Sequence, residues 1–66
     1  MSPKRFGMLL KGLRNKRGWS QATLAAKLGV TREYLARLEG GQHDPPLSTV
    51  ESLAKILGVR TSKLVE

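Results

Sequence analysis

The sequence predicts an all-α fold: a compact five-helix domain with a helix-turn-helix at its second and third helices. Three observations predict it. First, apolar residues recur at helical spacing: Phe6, Leu10 and Leu13; Leu24, Ala25 and Leu28; Leu35 and Leu38; then Leu47, Val50, Leu53, Ala54 and Leu57. Second, cap-forming residues precede these stretches and glycines follow them. Ser2, Ser20, Thr31, Ser48 and Thr61 stand at starts, and Gly18, Gly29, Gly40 and Gly58 at ends. Third, S-Q-A-T-L-A-A-K-L-G-V-T-R-E-Y-L-A-R-L-E-G-G, from Ser20 to Gly41, reads as two short helices joined by a tight, Gly-containing turn.

At 66 residues the chain is expected to form one domain, 1–66. A chain of that size buries only about 60% of its unfolded surface, so its core is small. It has no cysteine, hence no disulfide and no Cys-based zinc site to reinforce that core.

The first helix is expected from Pro3 to Lys16, with Ser2 as its cap and a proline in its first turn. Phe6, Leu10 and Leu13 form its buried stripe, Leu9 flanks it, and Met8 falls on the exposed side. Gly7 and Gly12 should each weaken it by about 1 kcal/mol relative to alanine. Its other faces carry Lys4, Arg5, Lys11, Arg14 and Lys16. A basic amphipathic helix can lie on a membrane, but the further amphipathic helices that follow favour packing in a globular core. Gly18 closes the helix. Trp19 then sits at the core edge, where an apolar residue before a cap acts as a hydrophobic staple.

The second helix runs from Gln21 to Leu28 behind the cap Ser20. Ala25 is small where two helices cross, and Gly29 ends the helix in a left-handed conformation. Val30 plugs the turn. The third helix, Arg32 to Glu39, is capped by Thr31 and stopped by Gly40 and Gly41. A turn-rich loop, G-G-Q-H-D-P-P, spans Gly40 to Pro46. Ser48-x-x-Glu51 reads as a capping box opening the fourth helix, which extends to Leu57 with Leu47 counted in its buried stripe. Gly58 ends it, Val59 anchors the turn, and Thr61 caps a short fifth helix containing Leu64 and Val65. Ile56 falls off the main stripe. With Val59 and Val65 it is expected to form an exposed apolar patch of the kind that suits a partner.

Twelve Lys and Arg against five Asp and Glu give a net charge of +7 and a pI near 10.7. That balance fits binding to a polyanion. No apolar run approaches the roughly 18 residues of a membrane span. M-S-P-K-R-F-G lacks the apolar segment of a secretory signal, so a cytoplasmic setting is expected. Enzyme chemistry has little to work with: one histidine, no cysteine, no paired carboxylates and no phosphate-cradling G-x-x-x-x-G-K. No catalytic residue, metal site, cofactor or small-molecule effector is expected.

The third helix has two unlike faces. At about 100° per residue, Leu35 and Leu38 point one way, and Glu33, Ala36 and Arg37 point roughly the other. Arg32 lies at the edge of that outward face, and Thr31 adjoins it. These groups suit base edges: arginine bidentate to guanine, glutamate accepting from cytosine, an alanine methyl against a thymine methyl. The same composition would also make a solvated, salt-bridged face.

The run from Gln21 to Gly41, followed by P-P-L and L-A-K-I-L-G-V, resembles the Cro/cI-type (XRE family) helix-turn-helix regulators of phages and bacteria. The likeness covers Phe6 to Leu64. It implies a lambda-repressor-like fold and a sequence-specific, double-stranded DNA-binding regulator of transcription, usually a repressor. Such proteins read the major groove with the third helix, as dimers on half-sites about 34 Å apart. With that function, the outward-facing Arg32, Glu33 and Arg37 would be the base readers, with Thr31 and Ala36 close by, and the resemblance adds contacts to the backbone. It places Gln21 on the DNA backbone, also supporting the third helix, and puts Gln42 and the loop amides near the sugar–phosphate chain. It pairs Glu39 internally with Arg14. Tyr34 can reach a phosphate or simply water. His43, beside Asp44, is read first as solvent-exposed and second as a phosphate contact. Asp44 makes the loop less basic than in other versions of the family.

With no second domain in view, a homodimer would form through helices four and five. The alternative is an antitoxin or protein-interaction adaptor built on the same fold. Once Glu39 is assigned to the scaffold, the third helix is close to neutral. Affinity should then come mainly from its basic surroundings, and specificity from a few side chains on one face.

Overall fold

In the computed structural model, which describes residues 2–65, the described residues form five helices. They are α1 (Pro3–Lys16), α2 (Gln21–Leu28), α3 (Arg32–Glu39), α4 (Leu47–Leu57) and α5 (Ser62–Val65). Three starts are capped as the sequence predicts. The Ser2 hydroxyl accepts the Arg5 N–H at 3.3 Å, that of Ser20 the Thr23 N–H at 3.0 Å, and that of Thr31 the Tyr34 N–H at 3.1 Å. Each such cap stabilises its helix by about 1 kcal/mol. Gly29, at φ 81°, ends α2 in the left-handed conformation, which costs a residue with a Cβ more than it costs glycine.

The stripes meet in one apolar cluster: Phe6 and Leu10 of α1, Leu24 and Ala25 of α2, Leu35 and Leu38 of α3, four residues of α4, and Leu64 of α5. The helix α3 packs against both α1 and α2, α4 against α2, and α5 closes over α1 and α4. Leu13, Trp19, Leu28 and Val30 are half-buried around the edge of this cluster. Because α3 is gripped on two sides, its third side is left facing outward at a fixed angle.

The structure corrects the start of the fourth helix. Pro46, at φ −65° and ψ 156°, occupies the cap position, and no side chain caps it. Ser48 and Glu51 therefore do not form a capping box. The Pro46 carbonyl takes over instead, accepting the N–H groups of Thr49 and Val50 at 3.0 and 3.2 Å. The proline ring already holds φ near the helical value, so the helix begins at once. Leu47 is consequently the first helical residue, in phase with Val50 and Ala54 but at the open end of the helix. It is 66% exposed and not part of the core.

The expected apolar patch also shrinks. Ile56 and Val59 are half-buried against the core, because the turn at Gly58 folds back and the Val59 N–H donates to the Ala54 carbonyl at 3.0 Å. Of that patch only Val65, at 37%, remains exposed. At the fifth helix the Leu64 N–H bonds to the Thr61 backbone carbonyl at 2.9 Å.

Gly7 also differs from its sequence reading. It sits where α1 crosses the end of α3. A Cβ there would lie 2.5 Å from each of the carbonyl oxygens of Leu38 and Glu39. The absent side chain is thus what allows the two helices to approach.

Candidate nucleic-acid interface

On α3, Leu35, Leu38 and Glu39 are buried, while Arg32, Glu33 and Arg37 are exposed and Ala36 is half-buried. The outward face predicted from spacing is therefore present. Thr31 stands at its start, but its hydroxyl is engaged in capping. Arg32 and Glu33 approach each other at 3.9 Å with side chains 55% and 72% exposed. A surface pair of that kind contributes little to stability, so both groups are available to a ligand at small cost.

Behind this face lies a continuous chain of polar contacts. Arg14 Nε donates to Glu39 Oε2 at 2.6 Å, and Nη2 donates to Oε1 at 3.0 Å. Both side chains are nearly enclosed, at 8% and 3% exposure. Arg14 Nη1 also donates to the Trp19 carbonyl at 2.6 Å, which the sequence did not reveal. The hydrogen bonds to Glu39 raise the Arg14 pKa above its ordinary value; burial opposes this and the attraction to Glu39 adds to it. Gln21 Nε2 donates to Glu39 Oε1 at 3.1 Å, and Arg32 Nη1 donates to Gln21 Oε1 at 3.4 Å. The chain Arg14–Glu39–Gln21–Arg32 therefore runs from the core to the outward face. The expected internal pair is present, and Gln21 does more than wait at a helix start.

Beside α3, the rings of Tyr34 and His43 meet edge to face with centroids 5.2 Å apart, so the loop is packed against the helix here. Gln42 and His43 are exposed. At Gly41, φ 74°, the same loop passes over α1: a Cβ there would be 2.8 Å from Lys4 Cα. That contact links two segments far apart in sequence, and no local pattern announces it.

A second cluster was also missed. Arg17 lies over the Trp19 ring at 4.5 Å, and Lys27 over it at 4.7 Å. Arg17 Nη1 further donates to the Leu57 carbonyl at 3.0 Å, satisfying the end of α4. Arg17 and Lys27 thus meet over Trp19 at the core edge, and Arg17 carries the link on to the end of α4. Such cation–π contacts contribute about 0.5–1 kcal/mol each at exposed sites.

Five helices around one core, with a capped two-helix turn unit whose second member faces outward, define a helix-turn-helix domain. The model of the family described as "Helix-turn-helix domain" matches residues 5–66, and the chain belongs to that family, in its Cro/cI-type branch. The immunity repressor protein of Bacillus phage phi105 is 39% identical over 59 residues, covering 89% of this chain and 41% of that one. The SPbeta prophage-derived uncharacterized HTH-type transcriptional regulator YonR of Bacillus subtilis is 41% identical over 61 residues, covering 92% of this chain and 56% of that one. The chain thus spans about half the length of these two curated relatives. The restriction-modification controller protein C.AhdI from Aeromonas hydrophila superposes with a TM-score of 0.89 at 35% identity, over 94% of both chains. No helix of the described residues is long and apolar enough to cross a membrane.

Proposed function

We propose that the chain is a cytoplasmic regulator that binds double-stranded DNA sequence-specifically. It acts as a repressor, without catalytic chemistry, and reads the major groove with α3. One observation carries this: α3 holds Arg32, Glu33 and Arg37 outward, opposite Leu35 and Leu38, on a chain of net charge +7. Those three are the base readers, with Thr31 and Ala36 beside them. Gln21, Tyr34, Gln42 and His43 fix the register on the sugar–phosphate backbone. The regulatory names of the relatives support the same reading.

Selection from random duplexes at two salt concentrations tests it directly. A defined consensus supports specific reading, whereas binding that ignores sequence and falls steeply with salt means a nonspecific coat. Within that consensus, Arg37→Ala should weaken binding by about 1–3 kcal/mol and relax preference at one position. Equal weakening on every sequence would show that Arg37 touches only phosphate.

Dimerisation through α4 and α5 completes the proposal. Leu47 and Val65 supply exposed apolar groups on these two elements. Leu47→Glu should then shift the sedimentation coefficient toward that of a monomer and abolish selection of paired half-sites. An unchanged oligomer would place the interface elsewhere.

A further inference from the structure

The buried pair of Arg14 and Glu39 does not end at the core. Glu39 Oε1 accepts both Arg14 Nη2, at 3.0 Å, and Gln21 Nε2, at 3.1 Å. A carboxylate only accepts, so it requires the NH2 side of the Gln21 amide to face it. The carbonyl side must then face the other way, and there it accepts Arg32 Nη1 at 3.4 Å. A flipped amide would set oxygen against carboxylate at one end and NH2 against guanidinium at the other. Both ends therefore select the same orientation, and Glu39 is held by two donors from Arg14 at 2.6 and 3.0 Å.

We propose that Glu39, acting through the Gln21 amide, is the positioning residue that sets the direction of the Arg32 guanidinium and hence the base preference at the position Arg32 reads. This rests on the reading of Arg32 as a base reader. An arginine free on the surface loses side-chain entropy when it binds, and one already held by a fixed acceptor loses less. Glu33 Oε2, 3.9 Å from Arg32 Nη2, lies on the same helix as Arg32 and leaves its direction less constrained than the Gln21 oxygen does. The second Gln21 N–H stays available for a phosphate, so orienting Arg32 and contacting the backbone do not compete.

Two variants separate this role from a structural one. Gln21→Met removes the amide at similar length and keeps the buried pair. The double variant Arg14→Met with Glu39→Met replaces that pair by apolar groups, an exchange that is often neutral for stability, and leaves Gln21 and Arg32 in place. Thermal melting establishes that each is folded, and competition among duplexes then reads the preference at every base position, beside Arg32→Ala as reference. Both variants should reduce discrimination about threefold to tenfold at the one position that Arg32→Ala relaxes, and Gln21→Met added to Arg32→Ala should change it no further. Uniform weakening by Gln21→Met with preference intact would overturn the proposal while leaving Arg32 a reader. A folded double variant with wild-type preference would also overturn it; if that variant does not fold, Glu39→Gln, whose amide no longer forces the NH2 side of Gln21 toward it, takes its place and wild-type preference there overturns the proposal. Should Arg32→Ala relax no position, Arg32 is not a reader and the proposal falls with that assignment.

Discussion

Arg14→Met should destabilise the free protein by about 3–5 kcal/mol, the range for removing one partner of a buried ion pair. Domains of this size have a total stability of roughly 3–10 kcal/mol on per-residue averages, so much of the fold's margin would be lost. The reason is what remains behind. Glu39, with a side chain 3% exposed, would keep only the Gln21 amide as a partner, at 3.1 Å. The Trp19 carbonyl would lose its guanidinium donor as well. Methionine fills comparable space, so a cavity contributes little and the effect isolates the charge. Circular-dichroism melting reads it. At about 4–8 °C per kcal/mol for a small domain, the transition should move down by more than 10 °C. Substituting Glu39→Met on top of Arg14→Met should return most of that loss, because no charge is then left without a partner. The hydrogen-bonded guanidinium has a raised pKa, so its contribution is fully present below the ordinary arginine value. It is lost only as pH climbs through the raised one, and the effect should therefore be the same across neutral pH. Unchanged melting with weakened DNA binding would instead make Arg14 a DNA contact.

How much of this was legible in the sequence depended on the range of the physics involved. Ser20, Thr31 and Gly29 announce themselves because a cap or a left-handed turn is decided within a few residues, and all three stand as expected. The outward face of α3 was legible for the same reason: Leu35 and Leu38 fix the helix phase, and the exposure of Arg32, Glu33 and Arg37 follows from it. Ser48-x-x-Glu51 misled because two local signals overlapped there. Pro46 began the helix earlier, which leaves Leu47 in its exposed first turn. Contacts between distant segments left no trace in spacing. Arg17 reaches the Leu57 carbonyl across 40 positions, and nothing around either residue marks the other. The family resemblance supplied the Arg14–Glu39 pair, which spacing alone could not. It did not supply the continuation of that pair through Gln21 to Arg32, which depends on the direction of a single amide.

Gly7 and Gly12 look alike in the sequence, both helix-weakening glycines within α1, and they should respond to alanine with opposite signs. At Gly12 an added Cβ meets nothing within 4 Å. Gly12→Ala should therefore stabilise the protein by about 1 kcal/mol, the difference in helix propensity. At Gly7 the same gain in propensity is opposed by collision. The new Cβ would lie 2.5 Å from the Leu38 and Glu39 carbonyl oxygens and 2.9 Å from the Glu39 carbonyl carbon, where ordinary contact begins near 3.4 Å. These are backbone atoms of α3, so no side chain can swing aside. The helices α1 and α3 must separate, and core pairs such as Phe6 and Leu10 against Leu35 and Leu38 lose contact. Overpacking of this kind costs about 1–3 kcal/mol and occasionally more, which outweighs the propensity gain. Melting of the two single variants side by side measures the difference, with Gly12→Ala raising the transition by about 4–8 °C and Gly7→Ala lowering it. The same displacement would shift α3, and with it Glu39, relative to Arg14. Gly7→Ala should therefore also blunt discrimination among duplexes at temperatures where it is still folded. If both variants raised the melting temperature alike, the close crossing of α1 over the end of α3 would be wrong.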